Sequence, residues 1–264
     1  MKPNSVLAVF STTILLTALG AATVAAEEVR EEFHQTYPLA QDGRVELDNV
    51  NGDVHIATWD RAEIKVDAVK RAKKQAHLDE VKIVVDTRAD HIQIKTKYPE
   101  AKGWWRRNNN STSVDYTLTV PKTSRLESIN TVNGGIDIEN VHGGVKANSV
   151  NGHVNATGAI GDVRLSTVNG SVRASFGALK NSVALNSVNG SVTVALPADV
   201  NADVSANTVN GGISSEFALQ ATAHFPISKD MHGKLGQGGP DVRMSTVNGG
   251  IHLDRAQTVL LEKP

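Results

Sequence analysis

The chain has 264 residues, no cysteine and nearly balanced charge, with 27 basic against 28 acidic side chains. That balance excludes the clear basic excess a nucleic-acid binder needs. The missing cysteine excludes a disulfide frame and a lipidated N-terminus, so stability must come from burial and backbone pairing.

The first element in chain order is a leader. Lys2 precedes an uncharged, mostly apolar run from Val6 to Leu19, and small residues then place Val24 and Ala26 just before Glu27-Glu28. This pattern predicts a secretory signal peptide over residues 1–26, cleaved after Ala26. The apolar run is short for a membrane span. Export is therefore expected, to the periplasm or the cell surface.

Residues 27–121 read as ordinary strands. Val45 and Leu47, Val54 and Ile56, Ile64 and Val66, Ile83 and Val85, and Ile92 and Ile94 each alternate with polar residues, as do Val114, Tyr116, Leu118 and Val120. A period of two means half-buried strands with one wet face. Ala68 to Glu80 has few β-branched residues and carries Lys70, Arg71, Lys73 and Lys74, which predicts a short surface helix with a solvated basic face. The segment Lys102 to Asn110 sets Trp104 and Trp105 beside Arg106 and Arg107 in a loop between strands. It reads either as a contact loop, by stacking on sugars or resting at a membrane interface, or as a hairpin folded back over its own domain.

Composition changes near Val120-Pro121. Residues 27–125 hold 34 charged residues, whereas 126–264 hold 20, and 18 of the 22 glycines follow residue 126. This shift divides the exported chain into an N-terminal antiparallel β cap region, 27–121, and a repeat region, 122–264.

The repeat is Val-Asn-Gly. It occurs seven times, at Asn51, Asn133, Asn151, Asn169, Asn189, Asn210 and Asn248. The last six are spaced by 18, 18, 20, 21 and 38 residues, and the final gap is close to two ordinary steps. A fixed period near 20 marks a solenoid or array. Asparagine and glycine tolerate positive φ, so each pair suits a sharp turn, with valine before it and an apolar residue after it expected to face the core. On the unit 163–174, Val163, Leu165, Val172 and Ala174 should point inward, and Arg164, Ser166, Ser171 and Arg173 outward. An antiparallel meander of two-residue hairpins also fits the motif, but it leaves the apolar face of a large open sheet uncovered. The expected fold class is therefore all-β: a parallel β-helix-like solenoid of 18–21 residue coils, with an N-terminal antiparallel β cap and one short helix. Asn133, Asn151, Asn169, Asn189, Asn210 and Asn248 should stack as a structural ladder inside it. Residues 222–241 interrupt the repeat before its last copy and read as a loop excursion or degenerate coil.

Several segments together resemble the putative adhesin family, a bacterial β-strand-repeat-containing domain of unknown function. They are Asn49-Val50-Asn51-Gly52-Asp53-Val54, the run 114–121, the Thr/Ser-Val-Asn-Gly units, Gly233-Lys234-Leu235-Gly236, and the closing run 246–253. The resemblance covers roughly residues 40–255 and implies a β-helix-like, exported, non-catalytic protein.

Chemistry is sparse. The nine histidines show no His-x-x-x-His spacing, and Gly233-Lys234-Leu235-Gly236 lacks the phosphate-loop pattern. His142, His153 and His252 read as surface residues. A polysaccharide-cleaving β-helix would need charges gathered on one wall, with Asp137, Glu139, Asp162, Arg164 and Arg173 as the candidates. The expectation is a non-enzymatic, adhesin-like envelope protein that takes no cofactor or metal. Its partner is an unidentified envelope protein, glycan or membrane surface, and it self-associates through exposed solenoid edges. The alternative is a polysaccharide-binding or polysaccharide-cleaving β-helix.

Overall fold

The structure is a computed structural model that describes residues 28–99, 111–219, 221–224 and 228–256. The expected leader and the Trp104, Trp105, Arg106 and Arg107 loop lie outside the described residues.

The chain begins with β1 (Val29–Pro38), β2 (Arg44–Asp48), β3 (Val54–Trp59) and β4 (Glu63–Ala72). Then come the helix α1 (Gln75–Glu80), β5 (Lys82–Arg88), β6 (His91–Lys97) and β7 (Ser113–Pro121). The repeat region supplies strands in pairs: β8 (Arg125–Asn133) with β9 (Ile136–Glu139), β10 (Val145–Asn151) with β11 (Val154–Thr157), and β12 (Val163–Asn169) with β13 (Val172–Ser175). The pairs β14 (Val183–Asn189) with β15 (Val192–Leu196) and β16 (Ala202–Asn210) with β17 (Ile213–Ser215) follow. Last are β18 (Ala221–His224), β19 (Ser228–Leu235), β20 (Asp241–Asn248) and β21 (Ile251–Arg255).

The fold is all-β. Among the described residues the strands form a ten-stranded sheet, β1-β4-β7-β3-β9-β11-β13-β15-β21-β17, and an eleven-stranded sheet, β18-β19-β16-β20-β14-β12-β10-β8-β2-β6-β5. Both sheets are mixed, with antiparallel strands at the β1 end of the ten-stranded sheet and at both ends of the eleven-stranded one. Within the repeat region each motif gives one strand to each sheet, and equivalent strands pair in parallel.

Register follows from side-chain alternation. Val145, Val163, Val183, Val242 and Val204 lie opposite one another across successive strands. On the facing sheet Ile136, Val154, Val172, Val192, Ile251 and Ile213 do the same. Inward residues from both sheets join one buried cluster. In the unit 163–174, Val163, Leu165, Val172 and Ala174 are buried, whereas Arg164 and Arg173 are exposed. Fully burying each valine or leucine stabilises by about 1.5–3 kcal/mol, and a one-residue slip would turn all of them to water.

Three features depart from the sequence reading. The first is the order of the repeats. The last unit, β20 and β21, lies between β14/β15 and β16/β17. The gap before Asn248 therefore holds no degenerate coil. It holds an antiparallel excursion, with β19 paired to β16 and β18 to β19.

The second is the N-terminal region, which is only partly antiparallel. β2 pairs in parallel with β8 and β6, and β3 with β9 and β7, so strands from both sides of Pro121 share the two sheets. The Val-Asn-Gly at Asn51 demands the same surroundings as the later copies and finds them beside Asn133.

The third is the helix, which spans only Gln75–Glu80, because β4 continues through Ala72 with Ala68, Lys70 and Ala72 on its buried face. Lys70 is no solvated residue. Its Nζ donates to the Leu78 and Val81 carbonyls at 3.3 and 3.1 Å, at the helix C-terminus where a cation is favoured, and pairs with Glu31 at 2.8 Å. Arg71 pairs with Asp115 on the neighbouring strand β7.

Candidate interaction surface

The motif builds one edge of the molecule, and each of its positions has a separate physical task. The residue before valine is a buried hydroxyl. Thr131, Ser149, Thr167, Ser187, Thr208 and Thr246 are all 2–5% exposed. Each hydroxyl donates to a motif-glycine carbonyl of the adjacent unit: Ser149 to Gly134 at 2.9 Å, Thr167 to Gly152 at 2.8 Å, Ser187 to Gly170 at 2.9 Å, and Thr246 to Gly190 at 2.9 Å. Thr131 donates to Gly52 and Thr208 to Gly249 in the same way. In the first motif the position is Asn49, whose amide reaches the Gly52 and Val114 carbonyls.

The motif valines point outward, contrary to the expectation from sequence. Val50, Val132, Val150, Val168, Val188, Val209 and Val247 are 36–41% exposed. Strict alternation explains this: with Val163 and Leu165 inward, Thr167 is the next inward position and Val168 must face water.

The asparagines form a row of side-chain amides. Asn133 donates to Asn51 at 2.7 Å, Asn151 to Asn133, Asn169 to Asn151 and Asn189 to Asn169 each at 2.8 Å, then Asn248 to Asn189 at 2.8 Å and Asn210 to Asn248 at 2.9 Å. The row has seven members, not six, and visits them out of chain order at its far end. It runs along the outer edge rather than within the core, since Asn133, Asn151, Asn169, Asn189, Asn210 and Asn248 are exposed.

Glycine is required chiefly by space. A Cβ on Gly134, Gly152, Gly170, Gly190, Gly211 or Gly249 would lie 1.9–2.1 Å from the carbonyl oxygen of the adjacent unit's glycine. Positive φ marks Gly52, at 121°, and Gly190 among the motif glycines, and no motif asparagine.

The two broad faces carry the scattered polar candidates. On the ten-stranded sheet, His55, Asp137 and Asn155 are neighbours across β3, β9 and β11. Asp137 Oδ1 accepts from the Asn155 amide at 2.8 Å, while Oδ2 lies 3.1 Å from His153 Nε2 and 3.6 Å from His55 Nδ1. Partial burial pushes the Asp137 carboxyl up, but the hydrogen bonds of Asn155 and His153 and the charges of His153 and His55 outweigh it and hold it below the usual range. Both rings address one oxygen, which makes a hydrogen-bonded network rather than a chelate. No group of three or more His, Asp or Glu among the described residues is arranged to hold a metal ion. His252 Nδ1 bonds Ser214 on the same face at 2.8 Å, and His142 is half-buried.

The five charges considered for sugar-chain cleavage are not brought together. Asp137, Glu139 and Arg173 lie on the ten-stranded sheet, with Asn155 between Asp137 and Arg173, whereas Arg164 lies on the other sheet and Asp162 just before it. No helix among the described residues is long and apolar enough to cross a membrane.

Residues 127–254 match the profile of a family described as Toastrack DUF4097. No curated protein matches the chain. Among solved structures, similarity extends to a putative cell adhesion protein from Clostridium sporogenes, with 13% identity and a TM-score of 0.49, covering 86% of this chain and 100% of the other. A putative adhesin from Bacteroides fragilis has 10% identity and a TM-score of 0.35, covering 86% and 97%. A putative lipid binding protein from Parabacteroides distasonis has 12% identity and a TM-score of 0.31, covering 84% and 96%. Likeness at these levels assigns neither ligand nor role.

Proposed function

We propose that this chain, which carries a Toastrack DUF4097 domain over residues 127–254, is an exported, non-catalytic, adhesin-like protein of the cell envelope that presents a long stacked surface to a partner there. The reading rests on the motif edge. Seven asparagines, all exposed but the half-buried Asn51, and seven exposed valines from distant parts of the chain form continuous rows, an arrangement suited to extended contact and not to a reaction centre.

In this reading the parallel-paired units are coils of a solenoid, residues 27–121 form its cap, and the asparagine row is a structural device that fixes coil-to-coil register. The Val6–Leu19 run and the small residues up to Ala26 support export. The scatter of Asp137, Glu139, Asp162, Arg164 and Arg173 over two faces weighs against the polysaccharide-cleaving alternative.

Fractionation of the native host tests the proposal. The protein should be recovered from the envelope fraction with Glu27 as its first residue, and it should leave envelope polysaccharide undegraded. Recovery in the cytosol with the leader intact refutes export, and release of sugar fragments refutes the non-catalytic role. Self-association through the sheet edges is tested separately by light scattering, where a mass that stays monomeric as concentration rises counts against it.

A further inference from the structure

The eleven-stranded sheet carries a depression that the motif edge does not explain. It holds about 400 Å³, is floored by the buried Leu126 and Val145, and is rimmed by Arg125, Glu127, Lys146, Asp162 and Arg164. Two local features shape it. Glu127 is an extra residue in β8: Leu126 pairs with Val145 and Ile129 with Ala147, so both Glu127 and Ser128 face Lys146, and β2 skips Glu127 in the same way. Such bulges re-aim side chains and recur beside functional sites. Gly144 lies between Arg125 and Asp162, where a Cβ would meet nothing closer than the Asp162 carbonyl at 3.8 Å. Glycine is not needed there for fit, and its effect is to leave the depression open.

The charges around the rim are placed against the interest of the fold. Lys146 and Arg164 stand directly opposite in the parallel ladder, at a strand spacing of about 4.8 Å. Like charges in that relation destabilise a sheet. Arg125, Lys146 and Arg164 form no ion pair or side-chain hydrogen bond among the described residues. The unit 241–243 repeats the Asp-x-Arg spacing of 162–164, but there Asp241 pairs with Arg243 at 2.7 Å. Asp162 instead accepts from the Ser182 backbone amide at 3.2 Å and leaves Arg164 unneutralised.

Beside these cations runs a polar row. Asn130, Asn148, Ser166 and Asn186 are successive ladder partners two residues along from the Lys146–Arg164 column, and Asn148 donates to Asn130 at 3.0 Å. Unneutralised cations next to amides and a hydroxyl match a ligand that carries carboxylates among many hydroxyl groups.

We propose that this depression binds an acidic glycan. Arg125, Lys146 and Arg164 take a sugar carboxylate, and the Asn130–Asn186 row takes the adjoining hydroxyls. The inference deepens the envelope-contact reading by naming a ligand class. Its test in vitro is independent of export, so the two stand or fall separately.

The test uses the purified full-length protein with three probes: oligogalacturonate, a neutral malto-oligosaccharide of the same length, and phosphatidylglycerol vesicles. Oligogalacturonate should bind, raise the melting temperature and be displaced by salt. The triple variant R125Q/K146Q/R164Q should bind at least tenfold more weakly, and R173Q/K180Q, which spares the depression, should bind like the unaltered protein. The triple variant should keep the wild-type circular dichroism spectrum and a single cooperative melt, and this separates lost binding from lost folding. Equal binding of the neutral sugar, unchanged binding by the triple variant, or binding to the vesicles alone would each overturn the proposal.

Discussion

Replacing Gly152 by alanine tests the claim that the motif glycine answers to space between units. The new Cβ would lie 1.9 Å from the Gly134 carbonyl oxygen and 2.4 Å from its carbon, both backbone atoms that cannot swing aside. Ordinary contact needs more than an ångström of extra separation between β8/β9 and β10/β11 at this corner. Three bonds to backbone carbonyls span that gap: Gly134 N–H to the Asn151 carbonyl at 3.0 Å, Ile136 N–H to the His153 carbonyl at 2.9 Å, and the Ser149 hydroxyl to the Gly134 carbonyl at 2.9 Å. At about 0.5–1.5 kcal/mol each, and with about 1–3 kcal/mol for overpacking, Gly152→Ala should destabilise by roughly 3–5 kcal/mol. Gly177→Ala is the matched control, because nothing lies within 4 Å of its Cβ and its φ is not positive. It should fall within about 0.5 kcal/mol of wild type. Urea unfolding followed by circular dichroism reads both. Equal midpoints for the two variants would refute the spacing argument.

Other substitutions probe other parts of the fold. Thr167→Val keeps the shape but removes the donor to the Gly152 carbonyl, so it should cost about 1–2 kcal/mol. Val168→Thr, one residue on but facing water, should stay within about 0.5 kcal/mol, and calorimetry compares the pair. Lys70→Met removes the donor to the Leu78 and Val81 carbonyls and the partner of Glu31 and should cost about 1–3 kcal/mol in urea unfolding. For Asp137, the lowered folded pKa means a stabilising contribution that is present above the unfolded value of about 3.9 and is lost as pH falls through the folded one. Asp137→Asn should therefore be less stable than wild type near neutrality, with the gap closing as pH falls below the unfolded value and through the folded one in a series of urea titrations. A gap independent of pH would show that the carboxylate charge is not what matters.

Much of the all-β fold is legible in the sequence, because alternation marks each strand. Ile64 and Val66, Ile92 and Ile94, and Val114 through Val120 are buried as their period of two requires. The spacing of the repeat likewise shows that the units are equivalent. What it leaves open is their order in space, since identical steps pair equally well with any neighbour, and so the insertion of β20 and β21 is invisible. The valines mislead for a different reason. Hydrophobicity suggests an inward Val168, whereas parity counted from Val163 places Thr167 inside, and the hydroxyl there has a carbonyl to satisfy. Lys70 is misread because a lysine in the basic run Lys70, Arg71, Lys73 and Lys74 looks helical and solvated until its register on β4 puts it over the helix end. For the interaction surface, sequence singles out Arg164 and Asp162 but not Arg125 or Lys146, because the bulge at Glu127 that gathers them leaves no mark on the motif spacing.

The position of the final repeat bears on how the chain assembles. Residues 202–215 emerge during synthesis before the segment that belongs between them and residues 183–196. At that stage β14 has a free edge, and β16 presents to it the same Val-Asn-Gly step and a near-identical inward pattern as β20. A decoy dock is thus available to the incomplete chain. The finished arrangement requires residues 241–255 to enter between the two, so the C-terminal repeat works as a keystone: only its arrival separates the finished stack from a plausible, shorter and wrong one.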